Sequence, residues 1–367
     1  MTLRTQAAGA TVTGLRRSEY LEARLRAFRA RELADRQHPT RTRVAVDVAS
    51  RVLPLLGGYA GILLFAFPYN LPAIALFSIA TVSILGSWFH DSVHRSVQAP
   101  ATVAFLLARL GASPVGFSPG WWAYKHVRLH HRYPGNPEFD PDIQFGRLGR
   151  VSSAQRWQPL HLTQHVHMWL LLPFSTLNML KPAEPCLVRR YNNLPGIRIT
   201  TPGWRFLVDK YAGPVVVWLP VFLTQSLRGA VLTFLVFHLL TGTLVSFVTQ
   251  VQHNTALSDA SDDYSARWPL CEQVLRTTDV GRSQDLWWWL CGGVNFHVAH
   301  HLAPSLSFFE LPAVTARLRT DLREIGIDLP VHRNMIEALR SHASLVRSLA
   351  RRPSDSLAHR LGSSLDR

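Results

Sequence analysis

The chain has 367 residues, a formal net charge of +15 and 47% hydrophobic residues, a length that admits one large domain or two ordinary ones. Its three cysteines, Cys186, Cys271 and Cys291, include no CxxC pair, which argues against a disulfide framework or an iron–sulfur site. No nucleic-acid-binding motif accompanies the positive charge.

The first 50 residues hold ten arginines and no early apolar core, the reverse of a secretory leader, so no cleavable leader is expected. Within them, residues 17–36 carry Leu21, Leu25, Phe28 and Leu33 at helical spacing. The expectation is an amphipathic helix lying on lipid headgroups. From Arg51 to Phe89 there is no acidic residue and, after Arg51, no basic one. Pro68-Tyr69-Asn70 divides this stretch into two pieces, each near the roughly 20 residues that cross a hydrocarbon core of about 30 Å. Residues 101–118 are apolar but interrupted by Arg109, Gly111 and Pro114, which predicts a re-entrant or interfacial segment. The polar section that follows contains "MWLLLPFSTLNML", read as a helix along the membrane surface. A second apolar pair surrounds Leu227-Arg228, and residues 351–367 have the composition of a disordered tail.

The predicted spans are residues 52–68, 71–89, 206–226 and 229–250. Arginines crowd the segment before the first span and are nearly absent from the turns after the first and third. By the positive-inside rule both termini and the middle segment are therefore cytoplasmic. The fold class expected is an all-α integral membrane protein with four transmembrane helices in two hairpins and a helical cytoplasmic cap. Residues 1–50 form the N-terminal amphipathic region, 51–330 the membrane domain, and 331–367 a C-terminal helix and tail.

Of the seventeen histidines, nine fall into four places. "HDSVH" puts His90 and His94 on one helix face at i and i+4. "HVRLHH" holds His126, His130 and His131, again with an i,i+4 pair. His253 follows the fourth span, and "HVAHH" holds His297, His300 and His301. An even number of crossings separates every group from every other, so all nine can meet on one side of the membrane. One tetrahedral site takes four ligands; nine imidazoles suit two metals. Ligand type alone leaves zinc, copper, iron and nickel open. The Glu-x-x-His motif of carboxylate di-iron bundles is absent from these histidine-rich regions.

These three boxes, with "GGVNFHVAHHLAPSLSFFELP" around the last, resemble the integral-membrane fatty acid desaturase and hydroxylase superfamily over residues 50–330. The resemblance implies two irons held by His90, His94, His126, His130, His131, His253, His297, His300 and His301. It implies O2 as co-substrate and oxidation of an unactivated C–H bond in a lipid acyl chain, with desaturation the favoured outcome. A hydroxylase or ketolase acting on a carotenoid or another lipid is the alternative, because "HDSVH" and "DPD" at 140–142 also resemble that branch. Residues read as steadying the ligand rings are Asp91, Asp140 and Asp142. Animal stearoyl-CoA desaturases place an asparagine four residues before the lone histidine; Thr249 stands there here, leaving Gln250 or Asn254 as substitutes. The chain has no His-Pro-Gly-Gly haem motif, so a separate electron donor is expected, ferredoxin with its reductase. Substrate would be a lipid or an acyl carrier, the location a cell inner membrane, with no nucleic-acid partner. A histidine-rich metal transporter is a distant alternative, since of the histidines only His238 lies inside a predicted span. The tryptophan runs at 121–122 and 287–289 are read as an aromatic belt in preference to a tunnel wall. His161, His165 and His167 match no box and are read as surface or interfacial.

Overall fold

The computed structural model describes residues 12–97, 99–194, 196–258, 269–281 and 286–352. The expectation of a disordered tail falls on residues that, beyond 352, lie outside these. Four helices are long and apolar enough to cross a membrane: α2 (Arg41–Leu64), α3 (Leu71–His94), α8 (Gly203–Thr224) and α9 (Leu227–His253). They lie near the predicted spans with shifted ends. α2 begins earlier because Thr40 caps it, its Oγ1 accepting from Arg43 N at 3.2 Å. It stops at Leu64, a few residues before Pro68, which disfavours helix for the residue preceding it. α3 runs on through "HDSVH", with a π turn over Leu85–Phe89.

Leu55 and Ile62 of α2, Ile74, Phe77 and Ile84 of α3, Trp218 and Val221 of α8, and Phe237 of α9 share one buried core. The opposite faces carry exposed Leu53, Leu56, Val215, Val216, Leu219 and Leu223. Apolar residues on both sides are what a bundle surrounded by lipid requires.

The remaining principal helices are α1 (Val12–Ala34), α4 (Ala101–Val115), α5 (Pro119–His130), α6 (Gln164–Leu171), α7 (Glu184–Asn192), α10 (Pro269–Leu275), α11 (Leu286–Cys291), α12 (His297–Leu302), α13 (Leu311–Arg323) and α14 (Met335–Ala350). Among the described residues the β structure is one two-residue parallel pairing, Asp279–Val280 with Val331–His332.

Three local readings change. Leu21, Leu25 and Phe28 of α1 pack on Leu270, Val274, Leu318 and Leu322; the apolar stripe is covered by protein, and the helix does not lie on headgroups with it. "MWLLLPFSTLNML" is not one surface helix. It breaks at Leu172–Phe174, where Pro173 interrupts it, and then docks against α9. Ser175 Oγ donates to Gly242 O at 3.0 Å and Thr176 Oγ1 to His238 O at 2.8 Å. His238 lies about 22 Å along the helix from His253 at 1.5 Å per residue, so the segment descends beside the span. Arg51, read only as a flank of the first span, is fully buried. Its guanidinium meets both oxygens of Asp47 at 2.9 and 3.0 Å, Trp289 O at 2.6 Å, and Ser83.

The α4–α5 pair turns through 103°, too sharp a bend for a straight crossing. Gly116 ends α4 at φ +71°, a conformation natural to glycine. Ser118 starts α5, its Oγ accepting from Trp121 N at 3.1 Å, with Pro119 in the first turn.

Candidate metal centre

The nine box histidines come together as two groups, and each group offers nitrogens that all lie within 4.8 Å of one another. His90, His94, His126, His131 and His300 form one; His130, His253, His297 and His301 form the other. The second box does not divide as an α-helix would divide it. Tyr124–His130 is a π turn, closed by a bond from His131 N to His126 O at 2.9 Å. The wider turn brings His126 and His131 to one group and sends His130 to the other, whereas i,i+4 spacing pairs His126 with His130. In α12, which is α-helical, His297 and His301 stay together as i,i+4 neighbours and His300 crosses to the five-ring group.

Within the five-ring group Nε2 atoms approach in sequence: His90 to His126 at 2.9 Å, His126 to His131 at 3.2 Å and His131 to His300 at 3.0 Å. The His94 ring centre lies 4.6–4.9 Å from those of His90, His126, His131 and His300. In the four-ring group the steps are His130 to His253 at 3.0 Å, His253 to His297 at 2.7 Å and His297 to His301 at 3.1 Å. Metal–nitrogen bonds of about 2.0–2.1 Å put ligands at right angles about 2.9 Å apart and tetrahedral ligands about 3.4 Å apart. Five of the six observed separations fall in that range, and the His253–His297 approach at 2.7 Å lies just below it.

The protonation chemistry agrees. Burial, reinforced by neighbouring imidazoles, pushes His131, His297, His300 and His301 well below the ordinary histidine value, so these rings are neutral lone-pair donors, the form that binds metal. For His130, burial also disfavours the charged form, but the charge and hydrogen bond of Asp140 outweigh it and hold the ring above its usual value. His94 Nε2 is buried with no protein partner. The donor set therefore fits divalent transition metals.

What stands behind the rings differs. His130 Nδ1 lies 3.1 Å from both oxygens of buried Asp140, which is itself fixed by Gly135 N at 2.8 Å and Asp142 N at 2.9 Å. His253 Nδ1 donates to Arg276 O at 3.0 Å and His301 Nδ1 to Gln273 Oε1 at 2.6 Å. Gln273 also donates to His131 O. A ring that donates Nδ1–H presents its Nε2 lone pair inward. Gln273 and Arg276 carry no local sequence signal for this role.

The other candidate residues sit as follows. Asp142 binds Lys125 and stands 3.5 Å from His130 Nδ1. Asp91 does not touch a ring; its Oδ2 accepts from Phe308 N at 3.0 Å, anchoring the segment after the third box. Thr249 Oγ1 returns to Val245 O at 3.0 Å in its own helix. Asn254 Nδ2 donates to Gln250 Oε1 at 2.9 Å, and its carbonyl accepts from His342 Nδ1 at 2.6 Å. None of these last three groups meets a ligand ring by its side chain.

Box three reaches box one through a glycine crossing. Gly292, at φ +63°, lies so close to the Gly86–Ser87 backbone that a Cβ would collide with it. Beside the two histidine groups, a cavity of about 970 Å³ opens, touching His90, His126, His130, His253 and His297. Leu171, Leu172, Phe174, Leu177 and Met179 of the descending segment line it, as do Thr249 and Asn254. Trp121 and Trp122 also line it, against the reading of an aromatic belt. Trp122 stacks on Phe117 at 4.9 Å and lies 5.9 Å from His126. Trp288 and Trp289 instead pack around Arg51. The "HLTQHVH" cluster stays apart: His161 Nδ1 accepts from Gln158 N at 3.0 Å and His167 Nε2 meets Leu148 O at 2.6 Å.

The family model described as fatty acid desaturase matches residues 66–329. The chain is 24% identical to the sn-1 linoleoyl-lipid 6-desaturase of Synechocystis over 299 residues, covering 75% of this chain and 79% of that protein. It is 24% identical to the enzyme of the same description from Arthrospira platensis, covering 72% and 73%. Against the acyl-lipid (7-3)-desaturase of Rebecca salina it is 25% identical, covering 79% and 66%.

Proposed function

This chain belongs to the fatty acid desaturase family, and we propose that it desaturates an acyl chain esterified in a membrane lipid, using two irons, O2 and electrons from a separate carrier. One observation carries the reading: nine histidines from four separated stretches converge as two nitrogen cages on the wall of an apolar cavity. Iron bound there supplies O2 activation when loaded. His90, His94, His126, His131 and His300 would hold one ion and His130, His253, His297 and His301 the other. The residues themselves do the rest. Asp140, the Arg276 carbonyl and Gln273 fix ring tautomers. The cavity wall, from Trp122 to Phe174, excludes water and aligns a flexible hydrocarbon beside the rings. Lys125, over Trp122 at 4.0 Å and bound to Asp142, closes the polar side of that wall.

The Synechocystis and Rebecca salina relatives are a linoleoyl-lipid and an acyl-lipid desaturase, which supports desaturation over the hydroxylase or ketolase alternative. His238, the intramembrane histidine, bonds Thr176 at 3.1 Å, so it fits structural packing and not a transport path. The excess of arginine on one set of flanks supports cytoplasmic termini and a cap formed by α1 and α10 to α14, on the inner membrane of a cell.

Expression in a host that supplies ferredoxin and its reductase, followed by mass spectrometry of intact lipids, tests this. The expected product has lost two hydrogens from one acyl chain, with bound iron in the purified protein. An oxygen-bearing product would move the reading to hydroxylation; purified protein that binds no iron, zinc or copper would overturn it.

A further inference from the structure

A second concavity, of about 1070 Å³, lies on another side of the five-ring group and meets the box histidines at His94. Its chemistry is opposite to that of the acyl cavity. Arg95, Arg109, Arg128, Arg132, Arg198 and Arg205 all line it, and all but Arg109 are exposed. Its one lining carboxylate among the described residues, Asp209, is already engaged by Arg109, by Ser118 Oγ at 2.8 Å and by Gly120 N at 3.1 Å. The arginines come from four places in the chain: the turn after α3, α4, α5 with its following turn, and the approach to α8 with its first turn. Arg95 is directed there by the only positive φ (+56°) on a described non-glycine residue, immediately after the ligand-group residue His94.

Resting on the desaturase reading above, we propose that this cationic bowl is the docking surface for a small acidic one-electron carrier protein, which delivers electrons through the His94 side while the acyl chain occupies the opposite cavity. Each turnover takes two electrons and two protons together with O2, and two hydrogens leave the chain, so both oxygens depart as water. A one-electron carrier must therefore dock twice per product, without disturbing a chain still bound. Separate openings make that possible. The acyl cavity touches five box histidines and shares no lining residue with the bowl; the bowl touches His94, the one box histidine whose Nε2 is buried without a partner. A patch of like charge focuses the field and steers an oppositely charged protein.

The test uses the full-length, iron-loaded protein in nanodiscs of zwitterionic lipid, with an acidic plant-type ferredoxin and its reductase as the probe. In the double variant Arg198→Glu/Arg205→Glu, ferredoxin binding measured by titration should weaken at least about tenfold, and the ferredoxin KM should rise in step with kcat little changed. Added salt should weaken the wild type and spare the variant. Single-turnover product formation after reduction by dithionite should be equal in both, as should iron content. Unchanged ferredoxin affinity overturns the proposal. So does an equal loss under dithionite, which would make the arginines structural, or a loss that tracks the fraction of anionic lipid in the disc, which would make the bowl a headgroup site. If the wild type binds ferredoxin but forms no product under dithionite, the desaturase reading fails instead, and the proposal with it.

Discussion

The two histidine groups are built from the same residue type, yet the protein treats them differently. In the four-ring group three rings are tied from behind by non-histidine partners: Asp140, the Arg276 carbonyl and Gln273. In the five-ring group no described non-histidine residue binds an outer nitrogen, and His126 Nδ1 and His131 Nδ1 are buried and unpartnered. A cage whose tautomers are set by the protein is organised before metal arrives. A cage of rings held by packing alone depends on the metal to lock it. The extra ring of the larger group compensates in number for what it lacks in support.

Deleting one ring from each group tests this most severely. His300→Ala and His301→Ala should each lower turnover about a thousandfold or more. Metal analysis should show about half the metal lost in each, from a different cage. Loss of both metals in either variant would mean that the groups load as one. Gly292→Ala comes next, because its Cβ would strike the Gly86–Ser87 backbone. It should destabilise the protein by about 3 kcal/mol or more, read as a lower melting temperature, and loosen the five-ring cage first, since only that cage joins box one to box three. Asp140→Asn should weaken metal at the four-ring cage by about tenfold to a hundredfold, measured by competition with a chelator; no single polar substitution should do the same to its neighbour. The smallest effect belongs to the histidines outside both cages. His165→Gln with His167→Gln should leave metal content unchanged, and a drop would extend the site beyond the nine.

Much of this was legible in the chain. The boxes announced candidate metal ligands by local spacing, and an even count of crossings allowed them to meet, as the structure finds them, because both are properties of short segments. The supports were legible only in part: Asp140 was marked by its nearness to the second box, and the others were not. Gln273 and Arg276 act across more than twenty residues of separation from their rings, and nothing in their own neighbourhood marks them. Asp91, adjacent to His90, holds Phe308 instead, whereas Asp140, ten residues after His130, reaches that ring. Arg51 gave a partial signal: Asp47 stands four residues earlier, at the spacing that lets the two side chains pair on one helix face. The tryptophan runs show the same limit, since identical composition serves a cavity wall at 121–122 and an arginine clamp at 288–289.

The π turn over Tyr124–His130 accommodates one more residue in the second box than an α-helical turn would. Removing one residue between His126 and His130 would restore α-helical phasing with His131 at i+4 from His126, as His301 stands to His297, so the sharing of the rings would survive with every imidazole still present. A homologue whose second box is one residue shorter or longer therefore need not have lost a ligand; it has to be realigned by groove and not by letter before its nitrogens are counted.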